Sequence, residues 1–311
     1  MTILGGARVS ENGDGIAEAV THTWREIYYS VHDGLRLYAR DYGDRGSSRL
    51  PVVCLAGLTR NSKDFDALAT RLSKTRRVLV PDYRGRGRSE YAGDWSTYTP
   101  MVELSDTLAL MALAGVHEAA VIGTSRGGLI AMLMAAARPT ALKAAVLNDI
   151  GPEIAPEGLS RIRGFLQHAP TPATWSDAEN IVRKANAGFH GLSDADWADF
   201  ARRVFRDVNG APKTDFDPNL YQTFVSYDDI VHGRVPTLWP QFAAMDALPT
   251  LAIRGENSDL LTAETLGNMK KLSPSLKTLT VKDRGHAPFL DEPGVVEAIE
   301  KVIDKAERNR N

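Results

Sequence analysis

Ser125 lies in a segment whose residue types and spacing could support nucleophilic catalysis. The apolar run 119–122 precedes Gly123-Thr124-Ser125-Arg126-Gly127-Gly128, and the helix-like run 129–137 follows. This pattern predicts a strand, a tight turn with the serine at its apex, and a helix. Glycines suit a turn that leaves no room for side chains, and the helix N-terminus favours negative charge beside the hydroxyl. Because a Gly-x-Ser-x-Gly spacing often arises by chance, the flanking strand and helix carry the prediction.

A serine hydroxyl is a weak nucleophile at neutral pH, so it needs a base that takes its proton and an anion that orients the base. The C-terminal third supplies both, each directly after a predicted strand. Asp259 follows the strand at 250–253, and His286 follows the strand at 276–281. Asp149 follows an earlier apolar strand and is the alternative candidate for the anion.

The elements that would position these residues alternate along the chain. Segments 24–31 and 35–42 predict a β-hairpin, and from there strand and helix signals alternate up to residue 147. The alternation resumes at residue 250 and predicts a mostly parallel sheet with helices on both faces. Segment 151–248 differs, because its eight prolines separate short helical stretches, such as 162–167, 177–187 and 194–208, and no convincing buried strand is visible. It predicts a helical insertion.

These features together resemble the α/β-hydrolase family over nearly the whole chain from residue 24. The strand, turn and helix around Ser125 resemble the nucleophile elbow of that family, and Gly285-His286-Ala287-Pro288-Phe289 resembles its catalytic histidine loop. Segment 82–89, Asp-Tyr-Arg-Gly-Arg-Gly-Arg-Ser, resembles a turn found after the fourth strand in the same family. We expect this last segment to be structural, because no phosphate-binding pattern surrounds it.

The resemblance implies an α/β fold with an eight-stranded, mostly parallel sheet, helices on both faces and a helical lid inserted after the sixth strand. The expected divisions are an N-terminal extension at 1–23, a core formed by 24–150 and 249–311, and a lid at 151–248.

The family also implies roles for the candidate residues, since its triad appears in the order serine, acid, histidine. Ser125 would be the nucleophile and His286 the base. Asp259 would be the acid, because it holds the usual position after the seventh strand. Asp149 stays open as the acid because some members of the superfamily place theirs after the sixth strand. In the other interpretation, the Asp149 carboxylate anchors the turn into the lid.

Acyl transfer also needs two amide donors for the oxyanion that develops on the substrate. The resemblance implies the backbone N–H of Arg126 and the backbone N–H of Leu58. Family members with a lid usually carry His-Gly before the second donor, whereas this chain has Ala56-Gly57. That departure concerns the loop geometry and leaves the backbone donor in place.

Candidate substrate-binding residues are arginines and aromatic side chains. Arg60 and Arg126 could face the pocket and favour a carboxylate-bearing substrate, or they could turn outward or pair with carboxylates. Segment 151–248 holds 12 of the 23 aromatic residues, so part of this surplus should line an apolar pocket above Ser125. Trp175 and Trp239 are candidates for that lining.

Composition excludes several classes of function. The net charge is −2 without a long basic block, which argues against nucleic acid or an anionic membrane as the main partner. No apolar segment is long enough to cross a bilayer and no signal peptide is visible, so we expect a cytoplasmic protein. The single cysteine, Cys54, lies in an apolar run and the histidines lack metal-site spacing, so no metal or cofactor is expected. A homodimer stays open.

The sequence therefore predicts a serine hydrolase that cleaves small to medium carboxylic esters through an acyl-enzyme on Ser125. One alternative is a carbon–carbon bond hydrolase that acts on a dienoate ring-fission product, since it would use the same triad and lid. Another, of a different class, is a non-enzymatic receptor that keeps the fold as a ligand pocket. In each of these three hypotheses the protein binds a small molecule.

Overall fold

A central β-sheet of eight strands organises residues 23–309, the part of the chain that the computed structural model describes. Residues 1–22 of the predicted N-terminal extension lie outside the described residues. The strands in chain order are β1 Trp24–Ser30, β2 Arg36–Tyr42, β3 Val52–Leu55, β4 Val78–Asp82, β5 Ala119–Thr124, β6 Leu142–Asn148, β7 Phe205–Val208, β8 Ala211–Thr214, β9 Thr250–Gly255 and β10 Lys277–Val281.

The spatial order of the sheet is β1-β2-β4-β3-β5-β6-β9-β10, while β7 and β8 form a separate hairpin. Strand β2 runs antiparallel to both of its neighbours, and the other neighbouring pairs in this sheet are parallel. All residues of β3, β4 and nearly all of β5 and β6 are buried, because helices cover both faces there. The mostly parallel eight-stranded sheet is confirmed, with each predicted strand within two residues of its observed bounds.

Ten α-helices surround the sheet or build the insertion within the described residues. They are α1 Asp66–Leu72, α2 Pro100–Leu113, α3 Arg126–Ala137, α4 Pro156–Gln167, α5 Trp175–Ala185, α6 Asp194–Val204, α7 Tyr227–Val231, α8 Trp239–Ala243, α9 Ala263–Leu272 and α10 Val295–Arg308. None of these helices is long and apolar enough to span a bilayer.

Helix α3 is the element that follows Ser125, and it packs against β5, β6 and α2. It is apolar around most of its circumference, as expected for a helix enclosed by other elements. Helix α10 has an apolar stripe at helical spacing instead, with Val295, Ile299, Val302 and Ile303 buried against the sheet.

The insertion, residues 151–248, contains α4 to α8 and the β7–β8 hairpin. Capping boxes at Thr174 and Ser193 begin α5 and α6, which explains why both helices start sharply. The predicted helix at 194–208 is wrong beyond Val204. Asn209 and Gly210 both have positive φ, at 54° and 83°, and Asn-Gly favours the tight turn of a hairpin.

The insertion has an apolar cluster of its own and is tied to the core by polar contacts. Its large buried members are Phe189, Trp197, Phe200 and Phe205. Lys63 of the core donates to the carbonyl oxygens of Arg202, at 3.1 Å, and of Phe205, at 2.8 Å. These contacts fix the end of α6 over the carboxyl ends of the central strands.

Candidate active site

Ser125 occupies a strained turn between β5 and α3. Its φ and ψ are 51° and −111°, a region that non-glycine residues seldom adopt. Its N–H donates to the carbonyl of Asn148 at 2.9 Å, and this bond holds the turn in place. A Cβ added to Gly123 would lie 2.3 Å from Gly127 carbonyl carbon, and one added to Gly127 would lie 2.1 Å from Leu55 oxygen. Glycine at both positions lets the turn form, and the predicted elbow is present.

His286 lies in the loop after β10 and reaches Ser125 across the carboxyl edge of the sheet. Its Nε2 is 2.9 Å from the Ser125 Oγ, and its Nδ1 is 2.7 Å from Oδ2 of Asp149. An Nδ1–H donated to Asp149 leaves Nε2 free to accept the serine proton. The three side chains form one continuous hydrogen-bonded chain from carboxylate to hydroxyl.

Asp149 is the first residue after β6, and its side chain is fully buried. Besides His286, its carboxylate accepts the Gly255 N–H at 2.7 Å and the Ser258 hydroxyl at 2.5 Å. A buried carboxylate is tolerated when its lone pairs are met in this way. Gly255 is the last residue of β9 and Ser258 lies in the loop after it, so β6 and β9 together place the group that contacts His286.

The structure corrects the expectation that Asp259 orients His286. The loop after β9 turns so that Ser258 faces Asp149, and Asp259, one residue further, points to the insertion. There Arg161 of α4 donates to it from Nε at 2.5 Å and from a terminal nitrogen at 2.8 Å. Because β6 and β9 are adjacent, an acid after either strand can reach the histidine loop, and Asp149 takes this place.

Asp259 is the anionic partner of Arg161. Partial burial acts to raise the pKa of Asp259, but the hydrogen bonds and charge of Arg161 outweigh it, with a smaller contribution from His286, so the pKa lies below its ordinary value. The pair links the loop after β9 to α4 of the insertion.

The two backbone amides expected at the oxyanion hole belong to segments next to Ser125. Leu58 is in the loop after β3 and lines the same pocket as Ser125, and Arg126 is the first residue of α3. Within residues 23–309, neither N–H donates to a protein acceptor. The loop of Leu58 is close to the serine, since a Cβ built on Gly57 would lie 4.0 Å from the Ser125 Cβ.

A cavity of about 170 Å³ opens on Ser125 and His286. Its floor comes from the core loop at 57–60, and its walls come largely from α4, α5 and α6 of the insertion. Most of the wall is apolar. The principal apolar side chains are Ile162, Phe165, Ile181, Val182, Phe200 and Phe289.

Trp175 and Trp239 do not line this cavity, contrary to the sequence prediction. The indole N–H of Trp175 donates to Gly210 at 3.1 Å, and the guanidinium of Arg202 lies 3.6 Å from its ring centroid. Trp239 packs against Phe242 with centroids 6.3 Å apart. The aromatic surplus of the insertion thus serves largely its own packing, and Phe165 and Phe200 are the members that reach the cavity.

The arginines near the site are paired with carboxylates. Arg60 lines the cavity, but its guanidinium makes two hydrogen bonds to Asp64 and lies over the Phe200 ring. The guanidinium of Arg126 donates to Glu103 at 2.7 Å and is not part of the cavity wall. Two further arginines of the wall have the same kind of partner, Arg161 with Asp259 and Arg203 with Asp199.

Asn148 is a site residue that the sequence analysis did not single out. Its side-chain amide donates to the Thr124 hydroxyl at 3.1 Å and to the Pro288 carbonyl at 2.9 Å. It therefore ties the strand that carries Ser125 to the loop that carries His286. The signal for it is a polar residue at the very end of an otherwise apolar buried strand.

No group of three or more histidine, cysteine, aspartate or glutamate side chains in residues 23–309 is arranged to hold a metal ion.

Comparisons with known proteins agree with this architecture. A family model described as the alpha/beta hydrolase fold matches residues 51–293. The 3-hydroxybutyrate-oligomer hydrolase of Cupriavidus necator is 32% identical over 84% of this chain and 90% of its own length. The sn-1-specific diacylglycerol lipase ABHD11 of Mus musculus is 27% identical over 80% of this chain and 79% of its own.

Among solved structures, an alpha/beta hydrolase from Novosphingobium aromaticivorans superimposes with a TM-score of 0.83 at 41% identity, covering 91% of this chain and 99% of that one. Sheet order, elbow and sequence comparison agree on one conclusion. The chain belongs to the α/β-hydrolase family.

Proposed function

We propose that this protein is a serine hydrolase that cleaves small carboxylic esters through an acyl-enzyme on Ser125, with His286 as base and Asp149 as the orienting acid. The observation that carries the proposal is the continuous hydrogen-bonded chain from Asp149 through His286 to Ser125, at the base of an apolar cavity. The chemistry that these residues perform requires no cofactor.

In the first half-reaction, Ser125 Oγ attacks the ester carbonyl carbon while its proton moves to Nε2 of His286. Asp149 stabilises the imidazolium that forms. The N–H groups of Leu58 and Arg126 donate to the oxyanion. Collapse of the tetrahedral intermediate expels the alcohol, which takes the proton from His286. Water then attacks the acyl carbon while its proton moves to His286. The acyl–Oγ bond breaks, His286 returns the proton to Ser125 Oγ, and the carboxylic acid is released.

The cavity favours a short and uncharged acyl group. Its volume of about 170 Å³ is below the ~300 Å³ at which pockets for drug-sized ligands begin. The paired arginines leave no unpaired guanidinium on its wall within the described residues. The relatives in Cupriavidus necator and Mus musculus are named as a 3-hydroxybutyrate-oligomer hydrolase and a diacylglycerol lipase, which supports ester substrates. We propose that the insertion acts as the lid that bounds this acyl site.

The carbon–carbon hydrolase alternative is less well supported. A dienoate carries a carboxylate that calls for a cationic partner, whereas Arg126 is turned to Glu103 and Arg60 to Asp64. The receptor alternative is opposed by the alignment of Ser125 and His286, since ligand binding alone does not need it.

Covalent labelling tests the proposal directly. We expect a fluorophosphonate to modify Ser125, identified by peptide mass spectrometry, and p-nitrophenyl esters of short acids to be hydrolysed. Ser125→Ala should abolish labelling and lower kcat by about 10⁴-fold or more. Ser96→Ala, which changes an exposed serine outside the cavity, is the control. Labelling of another residue, or a Ser125→Ala rate above about a hundredth of wild type, would contradict the proposal.

A further inference from the structure

Glu103, Arg86 and Arg126 form a buried cluster of charges next to the proposed oxyanion hole. Glu103 lies on α2, Arg86 in the loop after β4 and Arg126 at the start of α3. Glu103 Oε2 accepts from Nε of Arg126 at 2.7 Å, and Oε1 lies 2.9 Å from a terminal nitrogen of Arg86. The side chains of Glu103 and Arg86 are fully buried.

Each arginine of the cluster is connected to one of the two proposed oxyanion donors. Arg126 carries one donor on its own backbone. Arg86 donates from Nε to the carbonyl oxygen of Leu58 at 2.8 Å, and Leu58 carries the other donor. The single carboxylate of Glu103 therefore links the two backbone segments whose N–H groups would have to point at one oxyanion.

Stability alone is a poor explanation for such a cluster. Burying three charges carries a desolvation penalty, and buried ion pairs are often no more stabilising than apolar side chains of similar volume. Burial acts to raise the pKa of Glu103, but the charges of Arg126 and Arg86, together with the hydrogen bond from Arg126, outweigh it and hold the pKa below its ordinary value. Glu103 is therefore ionised at neutral pH and can hold both guanidinium groups.

We propose that Glu103 is a positioning residue for the oxyanion hole, which it acts on through Arg126 and, by way of Arg86, through Leu58. This inference rests on the proposed function, because the two amides matter only if an oxyanion forms. Small displacements of such donors are costly, since loss of one oxyanion donor lowers kcat by roughly 10²- to 10³-fold. Displacing both N–H donors by part of an ångström should therefore lower kcat measurably, though by less than the loss of a donor.

The direction of the effect distinguishes positioning from a simple electric field. Replacing Glu103 by glutamine removes a negative charge and leaves Arg86 and Arg126 positive. Coulomb attraction alone would then favour the oxyanion and raise the rate. Positioning predicts the opposite, because glutamine lacks the charge that attracts both guanidinium groups, and its amide NH2, which only donates, would face one of them.

The test is Glu103→Gln, assayed with p-nitrophenyl butyrate, a fluorophosphonate and a trifluoromethyl ketone as tetrahedral-intermediate analogue. We expect kcat and the labelling rate constant to fall at least tenfold, with KM changed less than threefold. Affinity for the ketone should fall by the same factor as kcat/KM.

Asp106→Asn is the matched control. Asp106 lies on the same helix and holds Arg84, another buried arginine of the same loop, at 2.7 Å and 2.9 Å. It should lower Tm comparably while leaving kcat within twofold of wild type.

An unchanged or increased rate in Glu103→Gln would overturn the inference, and so would an equal loss of kcat in Asp106→Asn. If Glu103→Gln does not fold, Arg126→Met replaces it as the test, because it keeps the Glu103–Arg86 pair and the backbone donor. A labelling rate equal to wild type in that variant would also overturn the inference.

The two proposals fail in different ways. A wild-type protein that labels at Ser125 but hydrolyses no ester contradicts the proposed function, while the labelling rate constants still decide the role of Glu103. A wild-type protein that neither labels nor hydrolyses esters overturns both.

Discussion

At the scale of single residues, the proposed chemistry depends on how one buried carboxylate is held. Asp149 has a positive φ of 55° and accepts hydrogen bonds from the Gly255 N–H and the Ser258 hydroxyl. The backbone strain and the buried charge are both tolerated because these donors fix the side chain toward His286. Ser258 thus supports the orienting acid without contacting the substrate pocket.

Ser258→Ala should therefore affect both stability and turnover. Loss of a hydrogen bond to a charged group is expected to lower the free energy of unfolding by about 1.5–3 kcal/mol, measured by urea denaturation. We expect kcat to fall several-fold, because Asp149 gains freedom to leave His286.

Ser273→Ala is the control for this variant, since its hydroxyl donates to Asp246 at 2.7 Å away from the site. It should reduce stability without changing kcat. Equal kcat values for the two variants would show that Ser258 does not support the acid.

The sequence identifies the serine and the histidine of the site but does not decide between the two candidate acids. Ser125 and His286 could be predicted because each has a local pattern, the elbow and the Gly-His-x-Pro-Phe loop. Asp149 and Asp259 both follow strands that end beside the histidine loop, so their spacing does not separate them. The difference is a side-chain direction, set by whether position 258 or 259 faces the sheet.

At the scale of elements, the insertion largely determines the shape of the cavity above Ser125, which we propose as the acyl site. Helices α4, α5 and α6 provide most of its apolar wall, and Phe165 of α4 also lies near Phe216, with ring centroids 6.2 Å apart. Each acyl methylene that is buried against an apolar wall contributes about 0.8 kcal/mol of binding free energy. This corresponds to roughly fourfold in kcat/KM per methylene until the cavity is filled.

Phe165→Ala should move the acyl-chain optimum to longer p-nitrophenyl esters, because it removes a ring from the cavity wall. Wild type is expected to prefer short chains, in keeping with a cavity of about 170 Å³. Trp175→Ala changes an aromatic residue of the same insertion outside the cavity and should leave the optimum unchanged. Identical chain-length profiles for wild type and Phe165→Ala would show that α4 does not determine the acyl-chain preference.

Elements with strong periodic patterns could be predicted, and those governed by tertiary contacts could not. The central parallel strands and α3 consist largely of apolar runs with clear ends, so their bounds follow from the sequence. The sequence does not predict the β7–β8 hairpin, because the helical pattern of α6 continues into it, although Asn209-Gly210 marks the turn. Which aromatic residues face the cavity depends on how α4 to α6 pack, and Trp175 shows that an aromatic count does not decide this.

At the scale of the whole molecule, a network of ion pairs lies at the amino ends of the strands, opposite the site. Arg76 is almost fully buried just before β4 and pairs with Asp304 at 3.0 Å and Glu307 at 2.6 Å on α10. Arg49, before β3, pairs with the same two carboxylates. The C-terminal helix is therefore fastened to the amino ends of the strands, while the triad lies at their carboxyl ends.

Arg76→Met should lower the free energy of unfolding by about 2 kcal/mol and leave kcat unchanged. This is less than the 3–5 kcal/mol seen when a buried pair is broken, because Asp304 and Glu307 keep access to water and to Arg49. Lys143→Met breaks the half-exposed pair with Glu118 and should change stability by less than about 0.5 kcal/mol. Similar stability losses in both variants, or a large loss of kcat in Arg76→Met, would contradict this separation of stability from chemistry.

The most direct measurement of the central claim is kcat for Asp149→Asn beside kcat for Asp259→Asn, each in a variant shown to be folded by circular dichroism. The Ser125–His286–Asp149 chain predicts that Asp149→Asn lowers kcat by about 10⁴-fold, because His286 loses the partner that fixes its tautomer. Asp259→Asn should stay within about tenfold of wild type, since it disturbs the Arg161 pair instead. A larger loss of kcat in Asp259→Asn than in Asp149→Asn would contradict the assignment of Asp149 as the orienting acid.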